Sequence, residues 1–66
     1  MKIIARLENG IATFEEIKYN PTTIVVEMIM NGESLILYAP RENYIDLQYF
    51  IEVKYEVIEF LDDGAM

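Results

Sequence analysis

The chain has no cysteine, no histidine and no tryptophan, and its only serine is Ser34. Without thiols there is neither a disulfide nor a thiolate ligand. Without imidazole, Cys/His zinc sites, histidine haem ligation and every histidine-based acid/base or triad mechanism lack their atoms. Basic residues are scarce too: five Lys and Arg stand against twelve Asp and Glu, a net charge of −7. That balance leaves the phosphate-neutralising part of nucleic-acid binding weak. Glycine occurs three times, at Gly10, Gly32 and Gly64, in turn and cap contexts rather than in a phosphate-cradling loop. No apolar run approaches the ~20 residues of a membrane-spanning helix. The start, Met1-Lys2-Ile3-Ile4, lacks the apolar stretch and cleavage site of a signal peptide. These absences predict a non-enzymatic protein with no catalytic residue, no metal, no cofactor and no membrane partner.

What is present is hydrophobicity in a short chain. Of 66 residues, 53% are hydrophobic, far from the signature of disorder. The length allows one domain spanning 1–66. A domain of this size ordinarily leans on a disulfide, a metal or a second chain. With the first two excluded, a homo-oligomer, most simply a dimer, is expected. Ten Ile against four Ala, with four Asn and five Tyr, is the bias of an AT-rich coding sequence. It points to a bacterial or phage source and so to the cytoplasm of a bacterial cell.

Two Asn-Gly dipeptides, Asn9-Gly10 and Asn31-Gly32, lie between apolar-rich runs. This pair favours the type I′ turn of a two-residue hairpin, because both central residues need positive φ. One hairpin is expected over 2–19 and another over 22–39, joined by the turn residues Asn20-Pro21-Thr22. In the second hairpin, a two-residue turn sets Met28 opposite Leu35, Val26 opposite Leu37 and Ile24 opposite Ala39. That is one fully apolar face. The reverse face carries Val25, Ile29, Ile36 and Tyr38 beside polar residues and is too apolar to be simply wet; these four are the candidate oligomer interface. In the first hairpin, Leu7, Ala5 and Ile3 align with Ala12 and Phe14. A bulge at Glu15-Glu16 would return Ile17 and Tyr19 to the Phe14 face.

The C-terminal third admits two readings. From Ile45 to Val57 the odd positions are all apolar or aromatic, and Phe50 alone breaks the polar even series. That alternation predicts a strand, with a bulge at Val57-Ile58. A helix also fits, placing Tyr44, Leu47, Ile51, Tyr55 and Ile58 on one face, with Gly64 as its C-terminal cap. Fully extended, residues 45–61 would span ~56 Å, twice the ~28 Å breadth of a globule this size. The strand must therefore bend or project. The expected fold class is thus an all-β antiparallel meander of about five strands, barrel-like if it closes. The alternative is α+β: a four-stranded antiparallel sheet followed by a C-terminal helix.

Charge divides the chain unevenly. Residues 1–41 hold five acids and four bases, a net of −1, whereas 42–66 hold seven acids and only Lys54, a net of −6. The acidic segment over 42–66 is either a solubilising face or a surface that docks a basic partner protein. Its candidate partner-binding residues are Asp46, Glu52, Glu56, Glu59, Asp62 and Asp63. On an extended strand, carboxylates at alternate residues sit ~6.7 Å apart, near the ~7 Å phosphate repeat of nucleic acid; Asp46, Glu52 and Glu56 share that parity. The leading expectation is a small interaction module that acts as an inhibitor or nucleic-acid mimic of phage or mobile-element type. An assembly subunit working through apolar sheet faces is the alternative. A small-barrel binder of single strands comes third, since the K-G-[FY]-G-[FY]-I strand motif of cold-shock domains is absent, and no direct nucleic-acid contact is expected.

Overall fold

A computed structural model describes residues 2–61. Four strands come first: β1 (Lys2–Leu7), β2 (Gly10–Lys18), β3 (Thr23–Met30) and β4 (Glu33–Pro40). A 3-10 turn at Arg41–Asn43 leads to α1 (Leu47–Lys54) and then to β5 (Val57–Phe60). The five strands form one antiparallel sheet in the order β4-β3-β2-β1-β5. The sheet is open, with β4 and β5 as its edges, so the meander does not close into a barrel. Because β4 and β5 lie on opposite edges, the connection between them must cross a sheet face. That crossing carries α1 over the core.

The second hairpin has the register that a two-residue Asn31-Gly32 turn dictates: Met28 faces Leu35, Val26 faces Leu37 and Ile24 faces Ala39. Asn31 and Gly32 both take positive φ, 55° and 80°, as a type I′ turn requires. The first hairpin departs from expectation. Leu7 pairs with Gly10, Ala5 with Ala12 and Ile3 with Phe14, so Glu8-Asn9 rather than Asn9-Gly10 fill the turn. The shift from the expected register is two residues, so every side chain keeps its face. Gly10 takes φ 145°, a conformation L-residues avoid. The β2 bulge lies at Ile17, between the Glu16–Val26 and Lys18–Val25 pairs, not at Glu15-Glu16. Ile17 and Tyr19 are consequently exposed instead of returning to the Phe14 face.

The segment 45–61 is a helix followed by a strand, so the five-stranded antiparallel meander and the C-terminal helix of the alternative are both present, each claiming part of the segment. Asp46 caps α1: its side chain accepts a hydrogen bond from the Tyr49 N–H at 2.8 Å. The helix ends at Tyr55, whose N–H donates to the Ile51 carbonyl at 2.8 Å; Gly64 lies outside the described residues. The alternation that suggested a strand is two helical stripes interleaved. Leu47 and Ile51, four apart, are buried with Phe50, whereas Ile45, Tyr49 and Val53, also four apart, are exposed. An offset of two residues is ~200° around a helix, so inward and outward stripes merge into a period of two. Helical rise also removes the length problem, since eight residues advance only ~12 Å. The chain fits within 30 × 25 × 21 Å. The bulge expected at Val57-Ile58 is present: β1 pairs Arg6 with Glu59 and Leu7 with Val57, skipping Ile58.

The core lies between α1 and one sheet face. Leu47, Phe50 and Ile51 pack against Ile3, Ala5, Leu7, Ala12, Phe14, Ile24, Val26, Met28, Leu37 and Ala39. Small residues stand opposite each other at Ala5 and Ala12, both fully buried in this core. Tyr44 meets Phe50 edge-on at 5.2 Å, and Phe14 meets Tyr55 at 5.7 Å, distances at which aromatic pairs attract. Phe50→Ala should cost about 3–5 kcal/mol, while Val53→Ala on the outward stripe should cost under about 1 kcal/mol. Asp46→Ala should cost about 1 kcal/mol through the lost cap. Urea denaturation of the three variants checks this; equal losses at Phe50 and Val53 would refute the helix orientation.

Candidate functional site

Alternation along each strand divides the sheet into a face that α1 covers and a face that none of the described residues covers. The open face is built from β1, β2, β3 and β4, whose register lines side chains into cross-strand rows. One row runs Ile4, Thr13, Ile29 and Ser34; the next runs Lys2, Glu15, Glu27 and Ile36; a third runs Lys18, Val25 and Tyr38. Ile11 is 50% exposed, Ile29 43%, Ile36 40% and Tyr38 70%. All four interface candidates from the sequence therefore share this face. Val25 is the exception in accessibility: it is 8% exposed, sheltered between Lys18 and Tyr38 in its row. The face is amphipathic rather than greasy. Glu15 and Glu27 stand directly opposite each other, an unfavourable like-charge pair. Lys2 opposite Glu15 and a 2.7 Å hydrogen bond from the Ser34 hydroxyl to Glu27 offset it.

The acidic residues gather less completely than their sequence positions suggest. Glu52, Glu56 and Glu59 line one depression of ≈ 520 Å³ along β5, floored by Val57, Ile58 and Phe60. Asp46 sits at the far end of α1, engaged as its cap. Glu59 accepts from the Arg6 Nε at 3.4 Å, an exposed pair that contributes about 0–1 kcal/mol. Asp62 and Asp63 lie outside the described residues. The alternate-residue carboxylate spacing is also corrected, because Asp46 and Glu52 belong to a helix cap and a helix, not to an extended strand.

Arg41 is the residue that sequence reasoning missed. From the 3-10 turn its Nε donates to the Asn20 carbonyl at 2.5 Å, its Nη2 donates to the Glu16 carboxylate, and its guanidinium lies 5.4 Å from the Tyr19 ring centre. The Ile17 bulge leaves Glu16 on the inner side of the sheet end, opposite Val26, and Arg41 answers that charge where water is partly excluded. The clamp ties the β2–β3 turn to the start of the crossover. The signal was present in the sequence as a lone Arg after Pro40, but the misplaced bulge hid its partner.

Among the described residues, no group of three or more His, Cys, Asp or Glu is arranged to hold a metal ion. No helix there is long and apolar enough to cross a membrane. No protein-family model, curated protein or solved structure matches the chain. The site reading therefore rests on its own geometry.

Tyr55 lies where the helix end meets the core, and burial pushes its phenol above the ordinary 10.0. A phenol held above its unfolded value keeps its proton longer in the folded chain. Its contribution is thus fully present below pH ~10 and is lost as pH rises beyond it. Melting temperatures between pH 8 and 11 should fall more steeply for the wild type than for Tyr55→Phe.

Proposed function

We propose that the chain is a non-enzymatic protein-interaction module whose working surface is the open face of the sheet. The observation that carries this reading is the uncovered aliphatic and aromatic set Ile11, Ile29, Ile36 and Tyr38, spread over β2, β3 and β4. Scattered exposed apolar residues are ordinary, but a contiguous set on one sheet face marks a place where another surface docks. These side chains have no part in the core, since the sheet presents its other face to α1. Lys2, Arg6, Lys18, Glu15 and Glu27 interrupt and border the patch, the mix of apolar centre and polar rim that non-obligate interfaces use. The expected partner is another protein offering an apolar surface.

A second reading has its own support. Glu52, Glu56 and Glu59 around one depression suit a basic partner surface, as an inhibitor or nucleic-acid mimic would require. That reading rests on charge, because among the described residues Asp46 and Glu52 belong to a helix cap and a helix rather than to an extended strand.

Affinity capture from a bacterial host extract separates the two. Ile11→Lys with Ile29→Lys, both solvent-facing, should abolish capture while far-ultraviolet circular dichroism stays unchanged. Glu52→Lys with Glu56→Lys should retain capture and alter only its salt dependence. The reverse pattern would transfer the function to the acidic edge.

A further inference from the structure

We infer that β4 pairs antiparallel with β4 of a second copy about a two-fold axis at Ile36, joining two sheets into one. The inference rests on the reading of the sheet as the working surface and names one occupant for its edge.

Edge strands normally carry protection against such pairing: shortness, lysine, proline, bulges or cover. β5 has several of these. It is four residues long, bulged at Ile58, and carries Glu59 ion-paired to Arg6. β4 has almost none. It runs eight residues, has no bulge against β3, and bears Glu33 as its single charged side chain. Pro40 stands only at its last position.

The backbone parity of β4 is fixed. A two-residue turn makes Met30 and Glu33 a hydrogen-bonded closing pair, and the Arg41 N–H donates to the Thr22 carbonyl at 3.0 Å, which sets the same phase from the other end. Glu33, Leu35, Leu37 and Ala39 therefore direct their backbone groups to β3. Ser34, Ile36 and Tyr38 direct theirs outward, with no partner strand among the described residues.

That outward row is self-complementary about Ile36. The axis sets Ile36 opposite Ile36 of the partner subunit and Ser34 opposite the partner's Tyr38, so about six backbone hydrogen bonds form with no donor wasted. Centring on Leu37 instead would set Ser34 opposite the partner's Pro40, which has no N–H to give.

Side chains agree with the same register. On the helix side, Leu35 is 55% exposed and stands outside the core that α1 closes. The axis at Ile36 lays the partner's Leu37 beside it. On the open side, Ile36 meets its own copy, and the two interaction faces merge on one side of the joined sheet. Charge does not oppose the contact: the two Glu33 side chains would lie ~20 Å apart along the strands. The acidic depression of each copy is at the opposite edge of its sheet.

The absence of native cysteine makes the register directly testable on the full chain. Ile36→Cys should form an intermolecular disulfide under mild oxidation. Ser34→Cys alone and Tyr38→Cys alone should not, since each is ~13 Å from its own copy, but the two mixed should cross-link. Sedimentation of the wild type should give twice the 7.7 kDa chain mass. Ile36→Pro, which removes an outward N–H and no bond to β3, should weaken self-association at least about tenfold with circular dichroism preserved. A wild type that sediments as a monomer up to ~100 µM, or Ser34→Cys cross-linking as fast as Ile36→Cys, overturns the pairing. Either result leaves the open-face reading standing if Ile11→Lys with Ile29→Lys still abolishes capture. A wild-type dimer whose capture survives those substitutions overturns the open-face reading alone.

Discussion

The structure depends on one short helix having to seal a sheet wider than itself. Leu47, Phe50 and Ile51 are the buried residues of α1, and they close one core with Ile3, Ala5 and Leu7 of β1, Ala12 and Phe14 of β2, Ile24, Val26 and Met28 of β3, and Leu37 and Ala39 of β4. An eight-residue helix cannot cover both faces, nor all of one. Two exposed apolar features accompany that shortage: the open face beneath, with Ile11, Ile29, Ile36 and Tyr38, and Leu35 at one corner. Two polar contacts hold the seal in place, the Asp46 cap at the start of the helix and the Arg41 clamp at the start of the crossover. Neither contributes much apolar burial.

The hairpins were legible in the sequence because turn chemistry and period-two patterning are local. Asn31-Gly32 set every pair of β3 and β4, and the four residues of its reverse face landed together as read. Asn9-Gly10 misled by two residues because Gly10 serves the strand start rather than the turn centre. The helix was harder to read for a geometric reason. Its inward and outward apolar stripes are offset by two positions, and only Phe50, the one residue that broke the alternation, distinguished the periods. Phe50 is buried, so the apparent exception was the informative residue. The acidic set was legible as charge but not as a site, because capping and pairing claim Asp46 and Glu59 only once the chain is folded.

The folded molecule is polarised across its sheet. Carboxylates concentrate around α1 and β5, where Glu52, Glu56 and Glu59 surround a depression, while β4 at the other edge is almost uncharged. The acidic C-terminal segment thus supplies α1 and the β5 margin, while the near-neutral residues 1–41 supply the other four strands. Long-range repulsion is strongest at one margin and weakest at the other. The apolar open face lies between them.

The place of β5 in the sheet also orders events in time. Each of the first four strands meets its neighbour through a short turn, so those ladders close small loops. The β1–β5 ladder joins Arg6 to Glu59, 53 residues apart, and can form only after the crossover has been laid down. Loop-closure entropy opposes that step most, and contacts this distant in sequence slow folding. The two hairpins can therefore assemble while their inner face is still wet. Docking of the helix and closure of the last strand would then be one late, cooperative event, the step at which the chain commits to its fold.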